Sequence, residues 1–307
     1  MQQEVVLFAP AKINLVLRVL DRRPDGYHNL WSLMQTVELE DEIHIRLRPE
    51  AGDIQLECND PALPTDGRNL VSRAAGLVLD RAVLRVGLHI RIVKRIPVSA
   101  GLGGGSSNAA ATILGLNRLL SLNWSVAEMV RIGEILGSDV PFFFFAPTAS
   151  VRGRGEDVMP LRIRDERWIV LINPGFPIET RWAYSRLAAT RAFVRPVSIM
   201  MADMVGKTSV SWDDVIPLME NDFEDALAPT HPVLGEVRDE LRSKGAEAAL
   251  VSGSGATVFG VFRQEASALE ARDSIRGAHG WWTSAARSCA DSLVCQDGAS
   301  IVPLRVG

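Results

Sequence analysis

Alternating apolar and polar positions dominate the first third of the chain. Ile13, Leu15, Leu17 and Val19 fall on one face of an extended segment, and Lys12, Asn14, Val16 and Arg18 on the other. Ile43, Ile45 and Leu47 alternate in the same way with Glu42, His44, Arg46 and Arg48, as do Leu88, Ile90 and Ile92 with His89, Arg91 and Val93. One-sided strands of this kind predict an antiparallel or mixed sheet with one face on a core. Helical spacing follows. Ala109, Ile113, Leu116 and Leu120 predict a helix from about Asn108, and Val126, Val130, Gly133 and Leu136 predict a second, stopped by Gly137.

Beyond the turn-rich Arg152-Gly-Arg-Gly-Glu156 the pattern restarts, which divides the chain into residues 1–157 and 158–307. Trp168 to Ile172 predicts a buried strand closed by Asn173-Pro174-Gly175. Val233, Leu234, Val237 and Leu241 predict a helix face ending before Gly245. Leu250 to Phe262 reads as strand, turn and strand, and Glu265 to Arg276 as a helix stopped by Gly277. This order fits an α+β protein with helices layered on sheet. Residues 190–215 carry no legible pattern, and no internal repeat is present.

Composition narrows the class. With 307 residues, 47% of them hydrophobic and 23% charged, the chain is long enough to bury a large core. A formal net charge of -4 argues against general affinity for nucleic acid, which needs a basic stripe, but leaves room for a local positive pocket. Cys58, Cys289 and Cys295 are scattered, without a CxxC pair, and are expected to be reduced thiols. The opening MQQEVVLFAPAKINL lacks a basic n-region, and Val140 to Ala146 is shorter than the roughly 20 residues that span a bilayer. A cytoplasmic protein without a membrane or nucleic-acid partner is expected.

The strongest chemical signal is Pro97-Val98-Ser99-Ala100-Gly101-Leu102-Gly103-Gly104-Gly105-Ser106-Ser107, set between a strand and a helix. Glycines permit positive φ and close approach of an anion, while free N–H groups at a helix start point at phosphate oxygens. No Lys follows the last glycine, so the loop is not a Walker A sequence, and several strands precede it, unlike a Rossmann fingerprint. The plain alternative is a flexible turn.

Four further segments have two readings each. Lys12, in Ala9-Pro10-Ala11-Lys12-Ile13-Asn14, either is solvated or points with Asn14 into a cleft. Asp139, at the lip of Val140-Pro-Phe-Phe-Phe-Phe145, is either a turn residue or an anionic base for a substrate hydroxyl. Asp25-Gly-Tyr27-His28 is a surface turn or offers a flat ring and an imidazole to a planar ligand. Ser252-Gly-Ser-Gly255 is a tight turn or a loop closing the cleft from the second domain.

In this order the segments resemble the GHMP kinase superfamily, from Pro10 to about residue 260. The resemblance implies a two-domain fold, with an N-terminal domain like domain 2 of ribosomal protein S5, a ferredoxin-like C-terminal domain, and a cleft between them. It implies ATP and Mg²⁺ as cofactors and a small-molecule substrate carrying a cytidine diphosphate group, in a monomer or homodimer. Asp139 would deprotonate the substrate hydroxyl, with Lys12 beside it holding the carboxylate ionised. Pro97 to Ser107 would wrap the triphosphate, with Ser107 as a metal ligand, and Asn69 and Lys94 would lie near the adenosine. Asn14, Tyr27 and His28 would hold the substrate, its base near the last two. Homoserine and mevalonate-pathway kinases share these loops, and so would a silent relative that only binds ligand. The arginines of residues 152–154 and the run Phe142 to Phe145 depart from the pattern.

Overall fold

The computed structural model describes residues 3–49, 52–289, 294–297 and 300–303, the last two segments as backbone alone. Two long strands organise it. β1 (Glu4–Arg22) and β2 (His28–Arg48) pair antiparallel, joined by a tight turn at Asp25-Gly26. β3 (Ile54–Cys58) runs parallel to β4 (Gly87–Val93), with α1 (Leu70–Ala82) crossing between them. β4 pairs with the second half of β2. Then come α2 (Gly104–Leu119), α3 (Val126–Leu136) and a short 3₁₀ turn over Pro141–Phe144. β5 (Thr148–Gly153) pairs with the first half of β2 and with β6 (Asp157–Pro160).

The second half opens with β7 (Arg162–Arg164) and β8 (Trp168–Asn173), then α4 (Thr180–Thr190) and α5 (Ile199–Met204). β9 (Ser209–Ser211), α6 (Trp212–Val215), β10 (Glu220–Asn221) and α7 (Phe223–Leu227) are short. α8 (Pro232–Ser243), β11 (Ala248–Val251), β12 (Val258–Phe262), α9 (Glu265–His279) and β13 (Trp282–Arg287) complete an antiparallel sheet of order β11-β12-β8-β13. Helices α8 and α9 pack on it. The chain then returns to the first sheet, where β14 (Val294–Asp297) pairs with Val6 to Phe8 of β1 and with β15 (Ser300–Pro303). Among the described residues, no helix is long and apolar enough to cross a membrane.

Several expectations need correction. β1 is buried on both faces from Ala9 to Val19, not on one, because it lies between the core under α2 and the core beneath the second sheet. Helix α2 starts at Gly104 rather than about Asn108, since the glycines themselves take helical turns. Helix α9 runs through Gly277 and stops at Gly280, whose φ of +68° supplies the left-handed cap. The illegible stretch 190–215 holds only short elements, α5, β9 and α6. Cys58 is a free thiol, while the Cys295 side chain falls outside the described residues.

Candidate active site

Burial of both faces of β1 decides the fate of Lys12, which is 4% exposed and carried into the interior. Its backbone N–H donates to Leu102 O at 2.9 Å, seating the glycine loop along the strand. Its stem runs over Gly103, where a Cβ would stand 2.8 Å from Lys12 Cγ and φ is +66°. Glycine alone meets both demands. The ammonium donates to Asn14 Oδ1 at 2.6 Å and lies 3.4 Å from Asp139 Oδ2. Asn14 donates in turn to Ser32 Oγ at 2.8 Å, so the amide on the next same-face position holds the lysine in place.

Asp139 arrives from the other side of the chain. Helix α3 opens on a Ser125/Glu128 capping box and ends at Leu136. Val140, Phe142, Phe143 and Phe144 are then buried, so the apolar run anchors the segment while the Asp139 side chain stays 35% exposed. The two charges thus meet with one partner sealed and the other open to a cleft.

Helix α2 begins at an N-cap Gly103 that makes no side-chain cap. The N–H groups of its first turn therefore meet no capping side chain, and the positive end of the helix dipole adds to them. The body of the helix is buried from Ser107 to Leu116, which fixes the direction of that end. The second glycine loop locks the first. Ser252 Oγ donates to Gly101 O at 3.0 Å and Thr257 N to Ala100 O at 3.2 Å. A Cβ on Gly101 would stand only 2.2 Å from Ser252 O.

These parts line one cleft of about 910 Å³. Lys12, Asn14, Asn69, Lys94, Pro97 to Ser106, and Asp139 all reach its wall, as do Gly253 to Gly255. Asn69 shapes the rim, its oxygen capping α1 at Val71 N (2.9 Å) and its amide donating to Pro64 O (2.8 Å). Ser107 does not reach the wall; it is fully buried, and its hydroxyl has no hydrogen-bond partner. Tyr27 and His28 also stand back from it. Tyr27 is 53% exposed under the Arg154 guanidinium, 3.9 Å from its ring centroid. His28 stacks on Tyr184, with centroids 5.1 Å apart and planes inclined by 19°.

Tyr184, absent from the sequence expectations, reaches the cleft, as does Phe223, which braces it edge-on at 4.9 Å. Arg181 and the paired hydroxyls of Thr180 and Ser254 (3.1 Å) line the same wall. Burial, and then the charge of Asp139, push the Tyr184 phenol up to about 12, so it stays protonated. Burial, followed by Arg191 and Arg22, lowers the His28 imidazole below its ordinary value, so at neutral pH it is uncharged. Among the described residues, no group of three or more His, Cys, Asp or Glu stands ready to hold a metal ion. The donors present fit a cation carried mainly by phosphate oxygens and water, for which the Ser107 hydroxyl, buried behind the wall without a hydrogen-bond partner, would be the one protein ligand.

An uncapped, glycine-lined helix end beside a Lys–Asp pair in the cleft of an α+β fold is an arrangement suited to a small-molecule kinase. The model of the GHMP kinases N terminal domain matches residues 69–146 and that of the GHMP kinases C terminal domain residues 209–280. The chain belongs to the GHMP kinase family, whose members use ATP and a divalent metal ion. Within that family it is 40% identical to the 4-diphosphocytidyl-2-C-methyl-D-erythritol kinase of Geobacter metallireducens, over 93% of this chain and 99% of the relative. It is 42% identical to the enzyme of the same name from Syntrophotalea carbinolica, over 89% and 95%. A crystal structure of 4-(cytidine 5'-diphospho)-2C-methyl-D-erythritol kinase superposes with TM-score 0.73 at 32% identity, covering 92% of this chain and 98% of that one. Homoserine kinase from Cytophaga hutchinsonii has the same TM-score at 20% identity, over 98% of each chain, a likeness of fold alone.

Proposed function

We propose that this chain is an ATP-dependent kinase that phosphorylates the C2 hydroxyl of 4-diphosphocytidyl-2-C-methyl-D-erythritol, a step in non-mevalonate isoprenoid biosynthesis in the cytoplasm. The observation that carries the reading is the 3.4 Å approach of Lys12 Nζ to Asp139 Oδ2 on the wall formed by Gly101 to Ser106.

Phosphoryl transfer asks for positioning and charge neutralisation more than covalent chemistry. Asp139 is the group that accepts the hydroxyl proton as the substrate oxygen bonds to the γ-phosphorus and the β–γ bridging bond breaks, releasing ADP. Tyr184, held protonated, is unsuited to that task. Lys12 stands between the carboxylate and the arriving phosphoryl oxygens, oriented by Asn14. Backbone N–H groups at the start of α2 receive the triphosphate, and Lys94 and Asn69 border its nucleoside end. Mg²⁺ would be held by Ser107 together with phosphate oxygens, and supplies charge neutralisation there when bound. Tyr184 offers a stacking plane for the cytosine, and neutral His28 behind it offers hydrogen bonds rather than charge.

The test is ATP consumption by the purified protein with a panel of alcohols. Turnover should depend on 4-diphosphocytidyl-2-C-methyl-D-erythritol, and Asp139→Ala should lower kcat at least about a hundredfold with ATP still bound. Turnover on homoserine or mevalonate instead would reassign the substrate, and wild-type kcat in Asp139→Ala would remove the base.

A further inference from the structure

Beneath the nucleotide wall lies a carboxylate that the reaction scheme above does not use. Asp41 shares the inward face of β2 with Ile43 and Ile45 and is fully buried with them, and it does not reach the cleft. It sits where β2 leaves register with β1, since Pro10 pairs with Glu40 but Ala11 with Val37. Such a bulge re-aims the side chains beside it.

Every acceptor position of Asp41 is directed. Oδ1 accepts from Arg95 N at 2.7 Å and Ile96 N at 3.0 Å. Oδ2 accepts from Asn108 Nδ2 at 2.9 Å and from the ammonium of Lys94. One carboxylate thereby ties together three segments: β2, the turn leaving β4, and the second turn of α2. Lys94 Nζ also donates to Asn108 Oδ1 at 3.3 Å, and it lies 3.0 Å from where a Cβ on Gly104 would stand. An ammonium has three donors. Two are consumed by Asp41 and Asn108, and the third has no acceptor among the described residues.

We infer that Asp41 is a positioning residue for the nucleotide. It acts through Lys94, clamping the ammonium under the first residue of α2 so that its remaining N–H is presented to the nucleotide in the cleft. The inference rests on the reading of this wall as the ATP site. It explains why a charged side chain occupies an apolar register: two buried groups of opposite charge, each satisfied by further hydrogen bonds, hold a cation where an exposed lysine would wander.

Steady-state kinetics of the full chain test it with Asp41→Asn, Lys94→Met and the double variant. Asp41→Asn should raise KM for ATP about tenfold, the loss of one well-placed charged hydrogen bond, while kcat and KM for the alcohol stay within about twofold. Lys94→Met should do the same, and the double variant should be no worse than Lys94→Met alone, because both changes remove one interaction. The double variant buries no lone charge and carries the test if Asp41→Asn does not fold. Multiplying effects in the double variant, or an equal rise of both KM values, would assign Asp41 a merely structural role. A normal KM for ATP in Asp41→Asn beside a raised one in Lys94→Met overturns the inference alone. A normal KM in Lys94→Met overturns the ATP assignment of this wall and the inference with it.

Discussion

Replacing Gly101 by Ala should damage the protein, whereas the same change four residues on, at Gly105, should not. At Gly101 the backbone has φ +78°, which costs an L-residue about 1–2 kcal/mol. The new methyl would also lie 2.2 Å from Ser252 O and 3.0 Å from Gly255 O, both backbone atoms, so the two loops must separate. Separation breaks the Ser252 Oγ to Gly101 O bond, worth about 1 kcal/mol, and leaves Thr257 N without Ala100 O, at about 1–3 kcal/mol. The sum is about 3–6 kcal/mol. At Gly105 the nearest atom to an added Cβ is Leu70 Cδ1 at an ordinary 3.5 Å, φ is not positive, and alanine is the better helix former by about 1 kcal/mol. Thermal unfolding of the two variants, at about 2 °C per kcal/mol for a chain of this size, should separate them by roughly 8–14 °C, with Gly101→Ala the lower. Equal Tm values would show that the loops are not interlocked as described, and the account of a preformed phosphate cradle would go with them.

Two further outcomes follow from the aromatic wall. Tyr184→Phe should keep kcat within about twofold because the phenol stays protonated, whereas Tyr184→Ala should raise KM for the alcohol about tenfold by removing the stacking plane; equal defects in the two would make the hydroxyl the important group. The His28 imidazole, followed by NMR, should titrate below its ordinary 6.5 and move upward in Arg191→Ala. Because its folded value is depressed, acidification through 6.5 towards that value favours the unfolded chain, so Tm should fall faster over this window than in His28→Gln, and parallel curves would refute the assignment.

Much of this site was legible because its parts are punctuated by backbone chemistry. Gly101 to Gly105 stand out as a candidate anion loop, and Lys12 with Asn14 as polar positions sharing one face of a strand. That Lys12 and Asp139 meet was an expectation of the resemblance, since no local rule links positions so far apart. Asp41 went unread although the same alternation exposes it, occupying the slot before Ile43 and Ile45 where an apolar residue belongs. Helix α1 is carried by Val71, Ala74, Ala75 and Val78, a stripe half made of alanine that contrasts weakly with its surroundings. Tyr184 sits on α4, where only Ala183 and Leu187 are buried, so nothing in its neighbourhood distinguished cleft from solvent. Tyr27 and His28 were flagged for their rings, but their distance from the wall depends on β5 and the turn after it, which aim Arg154 at Tyr27.

The meeting of residue 101 with residue 252 bears on how such enzymes can be recombined. A chimaera joining the first half of this chain to the second half of a distant relative inherits the shape of its glycine loop from both parents. Compatibility would be decided by whether the donor brings a main-chain oxygen and a hydroxyl to the same spot, far more than by its helices. Libraries built by exchanging halves should therefore be screened first at this contact.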